Sequence, residues 1–199
     1  MTSSRRLRSV LFLATAAVLL PACSSGKPKV GVIGDSITDL AQQPLHSALD
    51  SAYQVELVGH FGARADEVMA EAKVIAASKP DQAIVNIGTN DALQQVPTAQ
   101  TRANIESMVS MLDSAKCIFL VEINEGITRA GAPRADAAHA INVALGEIAR
   151  ANKKVHVIAW NQQIAANGGN DVMTYDTVHL STRGVVVLAN TYRRSLRAC

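Results

Sequence analysis

The sequence predicts an α/β fold, a three-layer α/β/α sandwich in which helices cover both faces of a five-stranded parallel sheet. Short apolar segments typical of strands alternate with longer segments of helical spacing, and such alternation gives parallel sheets. The strand-like segments are almost continuously apolar, as strands buried on both faces are. With 199 residues, of which 48% are hydrophobic and 18% charged, the chain is sized for one domain with a substantial core.

Five short apolar runs predict the strands. The first is Val30-Gly31-Val32-Ile33, which follows a lysine and ends at a glycine. The other four are similar runs of Val, Ile, Leu and Ala, which suit a sheet with both faces covered. In chain order, the predicted strands are residues 29–33, 54–58, 82–87, 117–123 and 155–160.

Five segments between and after these strands predict helices. In the second of them, Val68, Ala72 and Ile75 recur at helical spacing, and Lys79-Pro80 ends the segment. The third and fourth repeat this apolar spacing, with Ile105 and Ile141 among the inward-facing residues. In chain order, the predicted helices are residues 45–51, 65–78, 98–114, 136–152 and 184–197.

The first 22 residues predict a secretion signal that is not part of the fold. Arg5, Arg6 and Arg8 precede an apolar stretch of eleven residues, 10–20. A helix that crosses a bilayer needs about 20 residues, so this stretch is too short to span one. Because it ends just before Cys23, the pattern predicts a bacterial lipoprotein signal with Cys23 as the lipidated residue. An ordinary signal peptide followed by a coincidental cysteine is the alternative.

The domain boundaries and the location follow from this signal. We expect residues 1–22 to be removed, residues 23–28 to form a flexible tether and residues 29–199 to form the folded domain. The protein is then exported and either held at the membrane of the cell envelope by its N-terminal lipid or secreted. Without residues 1–22, 16 basic and 17 acidic residues remain, and no basic patch with interleaved aromatic residues is present. We therefore expect no nucleic acid partner.

The two other cysteines predict a disulfide. Export makes such a bond chemically feasible, and Cys23 is already assigned to the lipid. Cys117 opens a predicted strand and Cys199 ends the last predicted helix, which runs back toward the start of the strands. A loop of that length would stabilise the fold by roughly 4–5 kcal/mol. Two free thiols are the alternative.

Polar residues follow four of the predicted strands and are candidates for a site. Ser36 follows the first strand within Gly34-Asp35-Ser36-Ile37, Gly62 follows the second, and Asn90 follows the third within Gly88-Thr89-Asn90-Asp91. Asp176 and His179 follow the fifth. Ligands of open α/β sheets bind beyond the carboxyl ends of the strands, so all five residues are predicted at one edge.

These residue types fit acyl transfer. Ser36 needs an adjacent base to act as a nucleophile, and His179 can accept its proton and return it to the leaving group. Asp176 lies three residues before His179 and can orient the imidazole. The backbone N–H groups of Ser36 and Gly62 and the side-chain amide of Asn90 can form an oxyanion hole. The alternative for Ser36 is an ordinary helix N-cap.

The same four segments resemble the motif blocks of the SGNH hydrolases, also called GDSL-type lipases and esterases. The matching segments are Gly34-Asp35-Ser36-Ile37, Gly62, Gly88-Thr89-Asn90-Asp91 and Asp176-Thr177-Val178-His179-Leu180. Ile37 replaces the leucine of the family's eponymous motif. The resemblance implies a flavodoxin-like sheet of order 2-1-3-4-5 and ester or thioester hydrolysis through an acyl-serine, without metal or cofactor. It assigns the nucleophile to Ser36, the base to His179, the orienting carboxylate to Asp176 and the oxyanion donors to Gly62 and Asn90.

Four further residues are expected near the substrate. Asp35 and Thr89 adjoin Ser36 and Asn90, and His60 precedes Gly62 by two residues. The fourth residue, Trp160, ends the fifth predicted strand. The alternative for Asp35 is a turn-stabilising acceptor, and for Trp160 it is packing at the end of a core strand. Residues 161–171 are polar and are predicted to form a loop that approaches the site.

The substrate is predicted from size and location. The chain has no long insertion that would bury a fatty chain, which favours short acyl groups such as acetyl on envelope glycans or small alcohols. An acyltransferase using the same acyl-serine, a lipase or thioesterase for longer chains, and a non-catalytic envelope-binding lipoprotein are the alternatives. We expect a monomer whose partners are an acyl ester and, through the lipid, a membrane.

Overall fold

The computed structural model describes residues 26–199. Within this range the strands are β1 Lys29–Gly34, β2 Gln54–Gly59, β3 Gln82–Asn86, β4 Cys117–Val121, β5 Thr128–Arg129, β6 Ala132–Pro133 and β7 Val155–Ile158. The helices are α1 Ser36–Leu40, α2 Gln42–Leu49, α3 Met69–Ala77, α4 Thr89–Gln94, α5 Thr98–Met111, α6 Ala135–Ala151, α7 Trp160–Ala166, α8 Asn170–Met173 and α9 Thr182–Ala198. The predicted signal and lipidation site, residues 1–23, lie outside the described residues.

Five strands form one parallel sheet of order β2-β1-β3-β4-β7. The predicted fold and strand order are confirmed, since β7 is the fifth strand of this sheet. The extra pair β5-β6 is a small antiparallel hairpin between β4 and α6. Within residues 26–199, no helix has the length and apolar character needed to cross a bilayer.

Alternate residues of the central strands enter two apolar cores, one on each face of the sheet. On one face, Ile33, Val85 and Leu120 pack with α3, α5 and α6. On the other face, Val32 and Ile84 pack with α2 and α9. The sheet is therefore buried on both sides, which accounts for the continuous apolar runs in its strands.

A disulfide joins Cys117 to Cys199, as the sequence predicts. Cys117 begins β4 and Cys199 directly follows α9. The bond therefore lies at the amino end of β4, whereas the predicted site residues follow the carboxyl ends of the strands. It fixes the last residue of the chain to the sheet.

The predicted element bounds agree with the structure within three residues, with two corrections. The helix predicted over residues 65–78 begins only at Met69, because residues 65–68 form turns in which the Glu67 N–H bonds to the Arg64 carbonyl three residues back, at 3.1 Å. The loop predicted over residues 161–171 is wrong, because α7 and the first two residues of α8 occupy most of it. Trp160 begins α7 instead of ending a strand.

Candidate active site

Ser36 lies on a tight turn between β1 and α1. Gly34 ends β1 opposite Gly59 of β2, and α1 starts two residues later. A Cβ on Gly34 would come within 2.0 Å of the Thr38 hydroxyl, and one on Gly59 within 2.3 Å of the Asp39 backbone nitrogen. The two glycines therefore allow the first turn of α1 to lie directly against the strand ends.

Asp35 is the N-cap of α1. Its Oδ1 accepts a hydrogen bond from the Ile37 N–H at 2.9 Å, which satisfies one of the free donors of the first turn. Ser36 is the first helical residue, so its own N–H has no acceptor within the helix. This backbone N–H is therefore available at the point where the serine hydroxyl is presented.

The structure brings Ser36, His179 and Asp176 together. The Ser36 Oγ lies 3.0 Å from His179 Nε2, and His179 Nδ1 lies 2.6 Å from Asp176 Oδ2. Because a carboxylate can only accept, Nδ1 carries the proton and donates a hydrogen bond to Asp176. Nε2 then has the free electron pair and accepts a hydrogen bond from the serine hydroxyl.

Both carboxylate oxygens of Asp176 are hydrogen-bonded. Oδ2 accepts from the His179 ring, and Oδ1 accepts from the backbone N–H groups of Val178 at 3.0 Å and His179 at 2.6 Å. Desolvation alone would raise the pKa of Asp176, but these hydrogen bonds together hold it below its usual value. Asp176 is thus kept ionised beside the imidazole.

Residues 174–180, here called the Asp-His loop, are held by contacts with the segment after β4. Asn124 donates from Nδ2 to the Thr177 carbonyl at 3.1 Å, and the Thr128 N–H donates to the Thr177 hydroxyl at 3.1 Å. Thr177 has φ of +71°, a left-handed conformation that is unfavourable for a β-branched residue and needs such support. Asn124 and Thr128 were not predicted from the sequence. The position of Asn124 just after a predicted strand was the available signal.

The predicted oxyanion donors lie on two segments that contact each other. Gly62 has φ of +76° in a turn after β2, closed by a hydrogen bond from the Ala63 N–H to the His60 carbonyl at 3.2 Å. Asn90, the second residue of α4, donates from Nδ2 to the Ala63 carbonyl at 3.0 Å. One of its two amide hydrogens is used in this contact, and the other remains for a ligand.

A buried polar cluster underlies the serine and consists of Asp35, Thr38, Asn86 and Tyr192. Among the described residues, neither the Asp35 Oδ2 nor the Tyr192 hydroxyl has a hydrogen-bond partner. Burial raises the pKa of Asp35 to about 6, although the Ile37 N–H, Thr89 and His179 each act to lower it. Burial and the nearby Asp35 charge also raise the pKa of Tyr192 above its ordinary value.

Three of the four expected substrate-lining residues, Asp35, Thr89 and Trp160, are buried, as Ser36 is. Asp35 accepts the hydrogen bond that caps α1, and Trp160 packs in the apolar core that α2 and α9 cover, as their alternatives describe. Contact of these residues with a substrate stays a prediction. His60 is exposed, and its Nδ1 lies 3.1 Å from Glu71 Oε1.

Two exposed aromatic side chains that the sequence analysis missed lie beside the His179 imidazole. The ring centroid of Phe61 is 5.7 Å from that of His179, and the ring centroid of Tyr175 is 5.8 Å away. Phe61 precedes Gly62 and Tyr175 precedes Asp176, and this adjacency to site residues was the available signal. Within residues 26–199, no group of three or more His, Cys, Asp or Glu side chains is placed to hold a metal ion.

The fold and the family match define a carboxylic ester hydrolase. Residues 32–186 match the GDSL-like Lipase/Acylhydrolase family, and the chain belongs to that family. This range contains every predicted catalytic and oxyanion residue. None of the curated proteins matches the chain in sequence.

Solved structures share this fold at low sequence identity. A lipase/acylhydrolase from Enterococcus faecalis superposes with a TM-score of 0.75 at 20% identity, covering 86% of this chain and 96% of that one. Axe2, an acetylxylan esterase from Geobacillus stearothermophilus, gives 0.69 at 19% identity, with 84% and 93% covered. LAE5, an alpha/beta hydrolase enzyme from the metagenome of Lake Arreo in Spain, gives 0.68 at 17% identity, with 83% and 93% covered.

Proposed function

We propose that this esterase hydrolyses short-chain acyl esters, such as acetyl esters of cell-envelope glycans, through an acyl-serine on Ser36. The observation that carries the proposal is the continuous series of contacts from Ser36 Oγ through the imidazole of His179 to the carboxylate of Asp176, at 3.0 and 2.6 Å. A hydroxyl, a base and an orienting carboxylate in this order are what nucleophilic catalysis by serine requires.

In the proposed acylation step, Ser36 Oγ attacks the ester carbonyl carbon while its proton passes to His179 Nε2. The resulting imidazolium is stabilised by the ionised Asp176. Collapse of the tetrahedral intermediate breaks the bond to the alcohol oxygen, which takes the proton from Nε2 and leaves. A water molecule then repeats the sequence on the acyl-serine, with His179 as base, and releases the carboxylic acid.

The proposed oxyanion hole combines the N–H groups of Ser36 and Gly62 with the Asn90 amide. Gly62 supports this role because a Cβ there would meet no atom within 4 Å, so its surroundings are open to a ligand. The Asn90 side chain supports it because its contact with Ala63 holds the amide beside the Gly62 turn. Each such donor is typically worth about 3–4 kcal/mol in the transition state.

The openness of the site supports short acyl groups carried on larger alcohols. The Asp176 side chain is 42% exposed and the His179 side chain 19% exposed, so the carboxylate lies at the surface and the imidazole is accessible from it. A long acyl chain requires an apolar enclosure, whereas an acetyl group does not. The related fold of the Geobacillus acetylxylan esterase is consistent with a glycan ester.

The test is hydrolysis of p-nitrophenyl esters from acetyl to long acyl chains by the native protein and Ser36→Ala. We expect the variant to lose about 10⁴-fold or more of kcat/KM, because no other group replaces the nucleophile. Ser47→Ala, which changes an exposed serine of α2, is the matched control and should keep native rates.

Native-like turnover by Ser36→Ala would refute the acyl-serine. Rates that rise with acyl length would indicate a lipase, and absence of turnover by the folded protein would favour a transferase or a binding protein.

We also propose that the protein is anchored to the membrane by a lipid on Cys23, on the strength of the sequence pattern alone. Metabolic labelling with a fatty acid analogue in the native host should label the protein, and Cys23→Ala should lose the label and leave the membrane fraction. Ser24→Ala, which keeps the cysteine, is the control. An unlabelled native protein in the medium would identify an ordinary signal peptide.

A further inference from the structure

The rings of Phe61 and Tyr175 lie almost parallel to the imidazole of His179, and the proposed catalytic steps use neither of them. The angle between ring planes is 12° for Phe61 and 18° for Tyr175. Phe61 is 63% exposed and Tyr175 is 67% exposed. Two aromatic surfaces beside the base are therefore open to a ligand.

This exposure is unusual within the chain. Only 4% of the residues are aromatic, and the four other Phe, Tyr and Trp side chains within residues 26–199 are all buried: Tyr53, Phe119, Trp160 and Tyr192. The two exposed aromatic residues are thus the pair that contacts the base. Exposed apolar surface that is concentrated at one place of a protein commonly marks a ligand-binding site.

Both side chains are attached to the backbone segments that position the reacting groups. Phe61 lies inside the turn that presents Gly62, closed by the hydrogen bond from the Ala63 N–H to the His60 carbonyl. The Tyr175 N–H donates to the His179 carbonyl at 3.0 Å. The backbone positions from which the two rings extend are therefore set by the same hydrogen bonds that position Gly62 and His179.

The geometry of the reaction indicates which part of the ester meets these rings. In the tetrahedral intermediate the central carbon carries the serine oxygen, the oxyanion, the alcohol oxygen and the acyl substituent. The oxyanion points at its donors, and the alcohol oxygen must lie within hydrogen-bond reach of His179 Nε2 to receive the proton. The acyl substituent takes the remaining direction. A group attached to the alcohol oxygen therefore lies beside the imidazole and its two neighbouring rings.

The chemistry of the surface indicates what that group is. Two rings that each lie nearly parallel to the imidazole and remain more than 60% exposed suit a ligand that offers a flat apolar face and keeps its polar edges in water. A pyranose ring has such a face of C–H groups and carries its hydroxyls around the edge. An alkyl chain would leave most of its own apolar surface in water on so open a platform.

We propose that Phe61 and Tyr175 form a stacking subsite for the sugar ring on the alcohol side of the ester. This inference rests on the proposed esterase function and specifies the part of the substrate that determines selectivity. Phe61 and Tyr175 are specificity-determining residues under this proposal, and the acyl group is recognised elsewhere.

The experiment compares two substrates with the same acyl group, an acetylated methyl xyloside and methyl acetate. We expect Phe61→Ala and Tyr175→Ala each to lower the ratio of kcat/KM for the xyloside to that for methyl acetate about three- to tenfold, mainly through KM. Tyr175→Phe keeps the ring and should restore the native ratio. Val74→Ala removes an equally exposed apolar side chain from α3 and should leave the native ratio unchanged.

Three outcomes would overturn the subsite. Equal losses on both substrates, with a shifted acid limb of the pH profile, would mean that the rings position His179. Unchanged ratios would mean that the sugar makes no contact with them. A changed preference between methyl acetate and methyl butyrate would place the acyl group there instead.

A binding measurement separates failure of this inference from failure of the proposed function. Calorimetric titration of Ser36→Ala with a xylo-oligosaccharide needs no turnover, and affinity should fall about three- to tenfold when either ring is also removed. Turnover that does not depend on Ser36, together with ring-dependent binding, would refute the mechanism and keep the sugar platform. Ser36-dependent turnover together with binding that is unchanged by removal of either ring would support the mechanism and refute the sugar subsite.

Discussion

Two carboxylates adjoin the pair formed by Ser36 and His179, and the protein places them in opposite surroundings. Asp35 is fully buried beside Ser36, has one oxygen without a partner among the described residues, and has a pKa raised to about 6. Asp176 is partly exposed, has both oxygens hydrogen-bonded, and has a pKa below its usual value. The two sites differ in solvation and in hydrogen bonding rather than in residue type.

The difference in solvation and hydrogen bonding gives the two halves of the site different roles. The nucleophile half, which holds the proposed nucleophile Ser36, belongs to the sheet, where close packing fixes the turn and leaves Asp35 as a buried helix cap. The base half, which holds the proposed base His179, belongs to the Asp-His loop, where hydrogen bonds and solvent keep Asp176 charged. A carboxylate that must remain ionised is found in the open half, as the cost of burying charge requires.

The largest effect that tests this comparison is expected at Asp176. Asp176→Asn replaces an acceptor by an amide that can donate to Nδ1, so the imidazole would carry its proton on Nε2 and could not accept from Ser36. We expect kcat for a p-nitrophenyl acetate substrate to fall about 10⁴-fold with little change in the free energy of unfolding. Asp171→Asn, in the neighbouring helix α8, is the control. A loss of kcat below about tenfold would mean that another group orients the imidazole of His179.

The same chemical change at Asp35 should instead alter stability and its pH dependence. Below about pH 3 the carboxyl is protonated in both the folded and the unfolded chain. As pH rises to about 6, the unfolded chain ionises while burial keeps the folded carboxyl protonated, which lowers the free energy of unfolding by up to about 3 kcal/mol. Asp35→Asn cannot ionise and retains an oxygen that can cap α1.

Urea unfolding at pH 4 and pH 7 measures this effect. The free energy of unfolding of Asp35→Asn minus that of the native protein should increase by about 2 kcal/mol between these pH values, so the variant gains stability relative to the native protein as pH rises. Asp39→Asn, four residues along the chain, is the control and should show no such trend. A relative stability that does not change with pH would contradict the raised pKa of Asp35.

The smallest expected effect is at Asn124, which supports the base half without touching the reacting atoms. Asn124→Ala removes the hydrogen bond to the Thr177 carbonyl together with those to Asn170 and Gly126. We expect kcat to fall about tenfold, which corresponds to the free energy of the one hydrogen bond that reaches the Asp-His loop. Asn142→Ala is the control, since Asn142 bonds to Ile123 and Glu125 but not to the Asp-His loop. Equal losses in both variants would indicate general loosening of the segment after β4.

The sheet and the three residues of the Ser-His-Asp arrangement could be predicted from the sequence for a physical reason. The apolar runs of parallel strands are continuous, and residues that follow such strands must meet at one edge of the sheet. Ser36, Asp176 and His179 could therefore be placed together without knowing any side-chain contact. Cys117 and Cys199 could be paired in the same way, because the direction of the last helix follows from the alternation of elements.

The features that sequence reasoning missed depend on burial and on local hydrogen bonds. Trp160 looked like the end of a strand, but the chain turns into α7 there and takes the indole into the core. Whether Asp35 faced solvent or the interior depended on packing around Tyr192, which lies far away in the sequence. Asn124 and Phe61 act through tertiary contacts to the Asp-His loop that no local pattern records.

The disulfide has a consequence for how the two halves of the site are connected. The bond between Cys117 and Cys199 closes a covalent ring of chain that contains Asp176 and His179 but leaves Ser36 outside. A protease cut at the exposed turn of Ala130 and Gly131 would fall within this ring. The cut protein would remain one covalent molecule and would separate into two fragments only after reduction, with the serine on one and the histidine on the other.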